Sequence, residues 1–178
     1  MRIFHKIGRP KINSKYILNF FFNIFAQFFP KIVLKKIMEH KFMDFGMEIT
    51  NICNANCTFC GYQYQSRKMG VMSLDLYKKI ITEYVEMGGG DLGLTPTVGE
   101  PLADKFIIER IKFARSFKEI NKIGFYSNLI SLARFDIKDF VNCGVTDLVI
   151  STSGFDKDMY KRVYRSNEYS RMYNNLTN

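Results

Sequence analysis

At 178 residues, with 47% hydrophobic and 24% charged side chains, the chain is long enough for one ordinary domain with a real core and is not composed like a disordered segment. Its net charge of +9 is unevenly placed: residues 1–46 hold nine Lys or Arg against Glu39 and Asp44, a balance of +7, which leaves +2 for everything after. That distribution, with no recognisable nucleic-acid motif, argues against nucleic-acid binding, and the nearly neutral remainder suits an enzyme core that handles small molecules.

The basic extension, residues 1–46, carries the run YILNFFFNIFAQFF from Tyr16 to Phe29, closed by Pro30. The run falls short of the about 20 apolar residues that a membrane span needs. Asn19, Asn23 and Gln27 recur every four residues, and Lys11 and Lys15 extend the same row backwards. On a helix they draw one polar stripe along a phenylalanine-rich cylinder. Two readings stand for residues 11–29: the aromatic side packs on the following domain or on a second copy, or it makes peripheral contact with an anionic membrane surface. No signal peptide opens the sequence, and three of the four cysteines are clustered, unlike the spread pairs of a secreted disulfide scaffold. The expected compartment is cytoplasmic.

From residue 47 the pattern becomes regular. Met47 to Thr50 reads as a strand, and Ser73 caps a helix whose apolar positions Tyr77, Ile80, Ile81, Tyr84 and Val85 run until Gly88–Gly90 stop it. Strand Asp91–Thr95, helix Ala103–Phe117, strand Lys122–Tyr126, helix Asp136–Asn142, strand Asp147–Ser151 and helix Asp156–Arg165 follow. Strands alternating with helices imply an α/β fold with a mostly parallel sheet, each helix being the crossover to the next strand.

Placed on that frame, the chemically distinctive segments all follow strands. The cysteines come after the first strand, Pro96–Leu102 (PTVGEPL) after the second, Ser127 and Asn128 after the third, and Ser151–Gly154 (STSG) after the fourth. In parallel α/β architectures the carboxyl edge is where loops converge on ligands, so these segments are expected to meet.

Cys53, Cys57 and Cys60 are spaced C-x-x-x-C-x-x-C. A structural zinc site wants four ligands, and paired C-x-x-C knuckles are absent. Cys143 stands just before strand four, at the opposite edge, where a buried and inert thiol is expected. Thiolates also hold iron-sulfur clusters, usually through four cysteines, and three would leave one iron open. A non-catalytic iron-sulfur or zinc protein, or a membrane-surface or partner-binding module acting through residues 1–46, stands as the alternative.

The stretch Cys53-Asn-Ala-Asn-Cys57-Thr-Phe-Cys60 resembles the C-x3-C-x-aromatic-C signature of the radical S-adenosylmethionine (radical SAM) enzymes, with Phe59 at the aromatic position. Gly99-Glu100-Pro101 resembles their GGEP motif, with Val98 where the first glycine usually stands, and Asn128 follows the third strand with Leu129 where a glycine is frequent. STSGFD after strand four is similar to a stretch of the branch that carries SPASM domains. The resemblance covers about residues 45–178. It implies a partial (β/α)6 TIM-like barrel of about four βα units, with an N-terminal helical extension over residues 1–46 and an incomplete core domain over 47–178 whose later strands are missing.

The resemblance further implies a 4Fe-4S cluster held by Cys53, Cys57 and Cys60, S-adenosylmethionine chelating the fourth iron, and reductive cleavage to a 5′-deoxyadenosyl radical. That radical takes hydrogen from a substrate, either a peptide or a saccharide, and the electron comes from a reductant such as ferredoxin or flavodoxin. Gly99, Glu100 and Pro101 are then expected at the methionine ammonium, Asn128, Ser151 and Ser153 at the ribose or carboxylate, and Arg165 at the carboxylate. Each residue also has a plain structural reading. The glycine and proline suit a turn, the short polar side chains suit helix caps, and Arg165 suits the end of a helix dipole.

Overall fold

Short capping side chains, rather than long propensity runs, set the helix boundaries in this chain. In the computed structural model, which describes residues 44–153 and 156–177, Ser73 accepts the Leu76 N–H at 3.2 Å and starts α1, Leu74–Glu86. Asp136 caps α3, Ile137–Val141, and Asp156 caps α4, Lys157–Tyr164, each through its carboxylate. The remaining helices are α2, Ile107–Arg115, and α5, Tyr169–Thr177, which lies beyond the last element expected from the sequence.

Four strands alternate with these helices: β1 Asp44–Gly46, β2 Gly90–Gly93, β3 Ile120–Ser127 and β4 Asp147–Ile150. They form one parallel sheet in the order β1-β2-β3-β4, with Phe45 opposite Leu92, Leu92 opposite Ile123, and Phe125 opposite Leu148. The chain is thus α/β, an in-order parallel sheet of the partial (β/α)6-barrel kind. Chain order in the sheet keeps all four carboxyl ends on one edge, which is what gathers the loops.

Two boundaries differ from expectation for physical reasons. Strand pairing lies at Asp44–Gly46 and not at Met47–Thr50; the Met47 N–H still reaches the Gly93 carbonyl at 2.8 Å, and the chain then leaves the sheet, Thr50 making an isolated antiparallel bridge to Val71. Met47 and Ile49 alternate as a strand would because both are buried in the core, not because both are paired. The second helix begins at Ile107 and not at Ala103. Pro101–Ala103 forms its own 3-10 turn, and extended Asp104, accepting the Phe106 N–H at 2.9 Å, breaks the path between them.

Apolar burial is one-sided. Phe45, Leu92, Ile123, Phe125 and Leu148 belong to a core shared with Tyr77 and Ile81 of α1 and Ile107 and Ile111 of α2. On the other face Gly46, Gly93 and Gly124 lie in one register row, beside exposed Tyr126 and Val149. Inside the core Arg110 and Asp104 form an ion pair of 2.6 Å with both side chains fully buried. Arg110 also donates to the Met72 and Ser73 carbonyls and sits 5.0 Å from the Tyr77 ring centroid. It joins the start of α1 to α2.

The expectations for residues 1–43, including the polar stripe and the membrane reading of residues 11–29, lie outside the described residues. Among the described residues no helix is long and apolar enough to cross a membrane.

Candidate functional site

The loop from Thr50 to Gly61 leaves β1 and is held by donors and acceptors from the loops after β2 and β3 and from the end of α4. Glu100 N–H donates to the Ile52 carbonyl at 2.8 Å. Asn54 accepts from the Asn128 amide at 2.8 Å and donates to the Ser131 hydroxyl at 2.9 Å. On the far side Asn56 and Thr58 donate their N–H groups to the Tyr164 and Val163 carbonyls at 3.2 and 2.8 Å. These carbonyls belong to the last turn of α4, which has no partners of its own for them. A helix end and a cysteine loop therefore satisfy each other.

Within the loop the three thiols are half-buried and unpaired as disulfides. Ala55 N–H points at Cys53 Sγ at 3.5 Å and Tyr62 N–H at Cys60 Sγ at 3.4 Å. The Tyr62 hydroxyl takes the Cys53 N–H at 3.3 Å and donates to the Cys53 carbonyl at 3.2 Å. Burial pushes the Cys53 and Cys57 thiols up to about 11, helped by the charges of neighbouring thiolates and of Glu100. A cationic centre among them reverses that penalty, since a metal-bound thiol is deprotonated.

Among the described residues no three His, Cys, Asp or Glu side chains converge on one metal ion. Cys143 is buried in the core between α3 and β4, on the edge away from the loop, as expected, and provides no fourth donor.

The residues expected at a cosubstrate fall into three groups. Glu100, 3% exposed, accepts the Leu102 N–H (3.1 Å) and the Ser127 hydroxyl (2.6 Å) on Oε1 and the Asn128 N–H (2.8 Å) on Oε2. It clasps the loop after β2 to the end of β3, and a single acceptor position on Oε2 is left for a ligand. Burial raises its carboxyl above the usual carboxylate range against the pull of these three donors. Asn128 is engaged as well, its Oδ1 taking the Ile130 N–H at 3.0 Å. Pro101 is buried at the first position of its 3-10 turn, where its missing N–H costs nothing.

Gly99 is required by its own backbone and by what stands against it. Its φ is 137°, and an added Cβ would stand 2.6 Å from the Thr50 carbonyl oxygen and 3.1 Å from Asn51 Cα. The glycine lets the second loop touch the root of the cysteine loop. Val98, beside it, is buried and faces Gly61.

Ser151 forms the second group, its hydroxyl 3.2 Å from the Tyr164 hydroxyl and its N–H on the Ser127 carbonyl. The Ser153 hydroxyl is buried without a hydrogen-bond partner, a cost that a polar ligand group relieves. Arg165 is the third, and it stands at the end of α4, where its plain structural reading puts it. It sits past the last turn of α4 with φ 48°, and its guanidinium reaches Gln63 Oε1 at 2.9 Å across a hollow of about 520 Å³. Cys53, Asn54, Tyr62, Gln63 and Gln65 line that hollow with it, but Glu100, Asn128 and Ser151 do not.

Among the described residues only Leu129 (φ 59°) and Arg165 are non-glycines with positive φ, and both belong to this loop cluster. Such strain persists where surrounding contacts over-determine it, and it concentrates at functional sites. Sequence reasoning missed Asn54, Ser131 and the carbonyls of Val163 and Tyr164. Asn54 was visible only as a variable position between two cysteines.

The model of the radical SAM superfamily matches residues 47–178. Among curated proteins, a GTP 3′,8-cyclase of Mannheimia succiniciproducens is 24% identical over 129 residues, which is 71% of this chain and 37% of that relative. A GTP 3′,8-cyclase of Haemophilus influenzae is 26% identical over 126 residues, 69% of this chain and 36% of the relative. The chain thus spans little more than a third of the length of these relatives. Among solved structures, BtrN in complex with AdoMet and 2-DOIA aligns with a TM-score of 0.56 at 20% identity, covering 64% of this chain and 47% of that one. Streptococcus suis SuiB bound to precursor peptide SuiA aligns with a TM-score of 0.57 at 16% identity, covering 92% and 35%.

Proposed function

The chain belongs to the radical SAM superfamily, and from that premise we propose that it is the core, or part of the core, of an enzyme that generates a 5′-deoxyadenosyl radical. In this reading residues 47–178 are the catalytic core and residues 1–46 a separate basic extension, in a reducing cytoplasmic compartment. STSGFD aligns the chain with the SPASM-associated branch. The observation that carries the proposal is the hydrogen-bonded closure of the loops after β2 and β3 and of the end of α4 around one loop of three thiols.

Cys53, Cys57 and Cys60 are the residues that would hold a 4Fe-4S cluster, with S-adenosylmethionine completing it; once bound, that pair supplies one-electron cleavage of a carbon-sulfur bond. The chain's own residues orient and shield. Ala55 and Tyr62 N–H groups donate to the thiolates, which tunes and holds them. Glu100 keeps one acceptor for an ammonium, Ser153 provides an unengaged hydroxyl, and Arg165 presents a fork donor for a carboxylate. Asn128 and Ser151 set the positions of the cysteine loop and of α4 while lining the same edge. The substrate we propose is a peptide or a saccharide, both of which offer C–H bonds next to heteroatoms that stabilise the radical left behind.

Anaerobic reconstitution with iron and sulfide, followed by reduction with S-adenosylmethionine present, tests the reading. The expected outcome is an iron-sulfur chromophore that changes when S-adenosylmethionine is added, with release of 5′-deoxyadenosine. A folded chain that takes zinc and no iron-sulfur cluster overturns it.

A further inference from the structure

Leu129, held at φ 59°, and Ile130 present their carbonyls to one side chain of α5. Asn175 Nδ2 donates to the Leu129 oxygen at 2.7 Å and reaches the Ile130 oxygen at 3.4 Å, across 46 and 45 residues of chain. The Leu129 oxygen also takes the Leu132 N–H at 3.1 Å, so both of its lone pairs are engaged. Asn175 is half-buried on the core side of α5, where Met172 three residues earlier is fully buried and Leu176 packs on the core. An amide on so apolar a face costs stability unless it is bonded, and these two carbonyls are what bond it.

The turn that Asn175 holds is the seat of the cysteine loop. Ser127 Oγ accepts the Leu129 N–H at 2.9 Å and Asn128 Oδ1 accepts the Ile130 N–H at 3.0 Å, so the conformation at Leu129 decides where both side chains point. The Ser127 hydroxyl and the Asn128 N–H in turn donate to Glu100. The Asn128 amide and the Ser131 hydroxyl grip Asn54, which lies next to Cys53. A left-handed leucine persists where contacts over-determine it, and Asn175 supplies such a contact from outside the turn.

Resting on the reading of Glu100 as the ammonium acceptor, we propose that Asn175 is a positioning residue of the site: from α5 it locks the turn 127–131, and through that turn it fixes both the Glu100 carboxylate and the Asn54 end of the cysteine loop. It acts through Asn128 rather than by contact with the cosubstrate.

Two variants of the full chain test this, Asn175→Ala and Asn175→Leu; both remove the donor, and leucine keeps the apolar packing of α5. On the unloaded chain, amide hydrogen exchange is expected to quicken about tenfold at Asn128 and Ile130 in both variants, while the Met172 amide, bonded within α5 to Glu168, keeps its protection. Asn174→Ala, at an exposed neighbour on the same helix, is expected to change neither. On the reconstituted chain, the KM for S-adenosylmethionine in 5′-deoxyadenosine release is expected to rise about tenfold with kcat unchanged. A purely structural role would instead lower protection along α5 and leave KM alone. Unchanged exchange at Asn128 and Ile130, an equal loss of protection at Met172, or a fall in kcat with KM unchanged overturns the positioning role. Failure of the wild-type chain to take up a cluster appears separately, in its absorption spectrum, and strikes the cofactor reading instead.

Discussion

Leu129 and Arg165 share a left-handed backbone and differ in what their side chains do, so replacement by glycine separates strain from contact. Relief of the backbone is worth about 1 kcal/mol at either position. Leu129 is 2% exposed, and its loss from the core costs about 3 kcal/mol or more, so Leu129→Gly is expected to destabilise by about 2–4 kcal/mol in urea unfolding. Arg165 is exposed and holds one hydrogen bond to Gln63, so Arg165→Gly is expected to leave stability within about 1 kcal/mol of wild type. It should nevertheless weaken S-adenosylmethionine binding, measured by calorimetry on the reconstituted chain. Glu100 adds a pH signature. Its carboxyl holds a proton more tightly in the folded chain than in the unfolded one, so this group's contribution to stability falls as pH rises from the ordinary value through the raised one, and returns on acidification. In Glu100→Gln that falling arm is absent, while the Asn128 N–H or the Ser127 hydroxyl meets a donor and stability drops by about 1–3 kcal/mol. Thermal unfolding of both chains from about pH 4 to about pH 8 checks it; parallel curves would count against the assignment.

Elements were legible in the sequence where a short polar side chain marks them. Ser73, Asp136 and Asp156 announce three helices and cap all three. The cysteine loop, the Gly99–Glu100 turn and the end of β3 were equally visible as sites. What joins them was not, because the bonds from Asn54 to Asn128 and Ser131 span 74 and 77 residues and involve side chains common in any loop. The strand at Met47 was misplaced because alternating burial imitates pairing. The same scale holds the clamp between α1 and α2. Arg110→Met removes the cation from a fully buried pair and leaves Asp104 uncompensated, at an expected cost of about 3–5 kcal/mol by denaturant unfolding. Tyr160 gives the opposite sign. Its hydroxyl is buried with no hydrogen-bond partner, between the stacked Tyr164 ring at 4.5 Å and Tyr169, so Tyr160→Phe is expected to keep the stack and raise stability by about 1 kcal/mol.

At the scale of the sheet, among the described residues, β2 and β3 are paired on both sides and β1 and β4 on one. Hydrogen exchange is expected to be slowest at Leu92 and Phe125 and faster along β1 and β4, and uniform protection across the four strands would contradict the order β1-β2-β3-β4. The bonds that close the cysteine loop have a consequence in time. Thr58 waits for the carbonyl of Val163, and Asn56 for that of Tyr164, so the loop is synthesised a hundred residues before its last supports exist. On the ribosome the three thiols emerge early and unshielded, and their seat is finished only when α4 has left the exit tunnel. Ordering of the loop is thereby postponed until the growing polypeptide has passed that helix, which makes α4 the timekeeper of the loop's maturation.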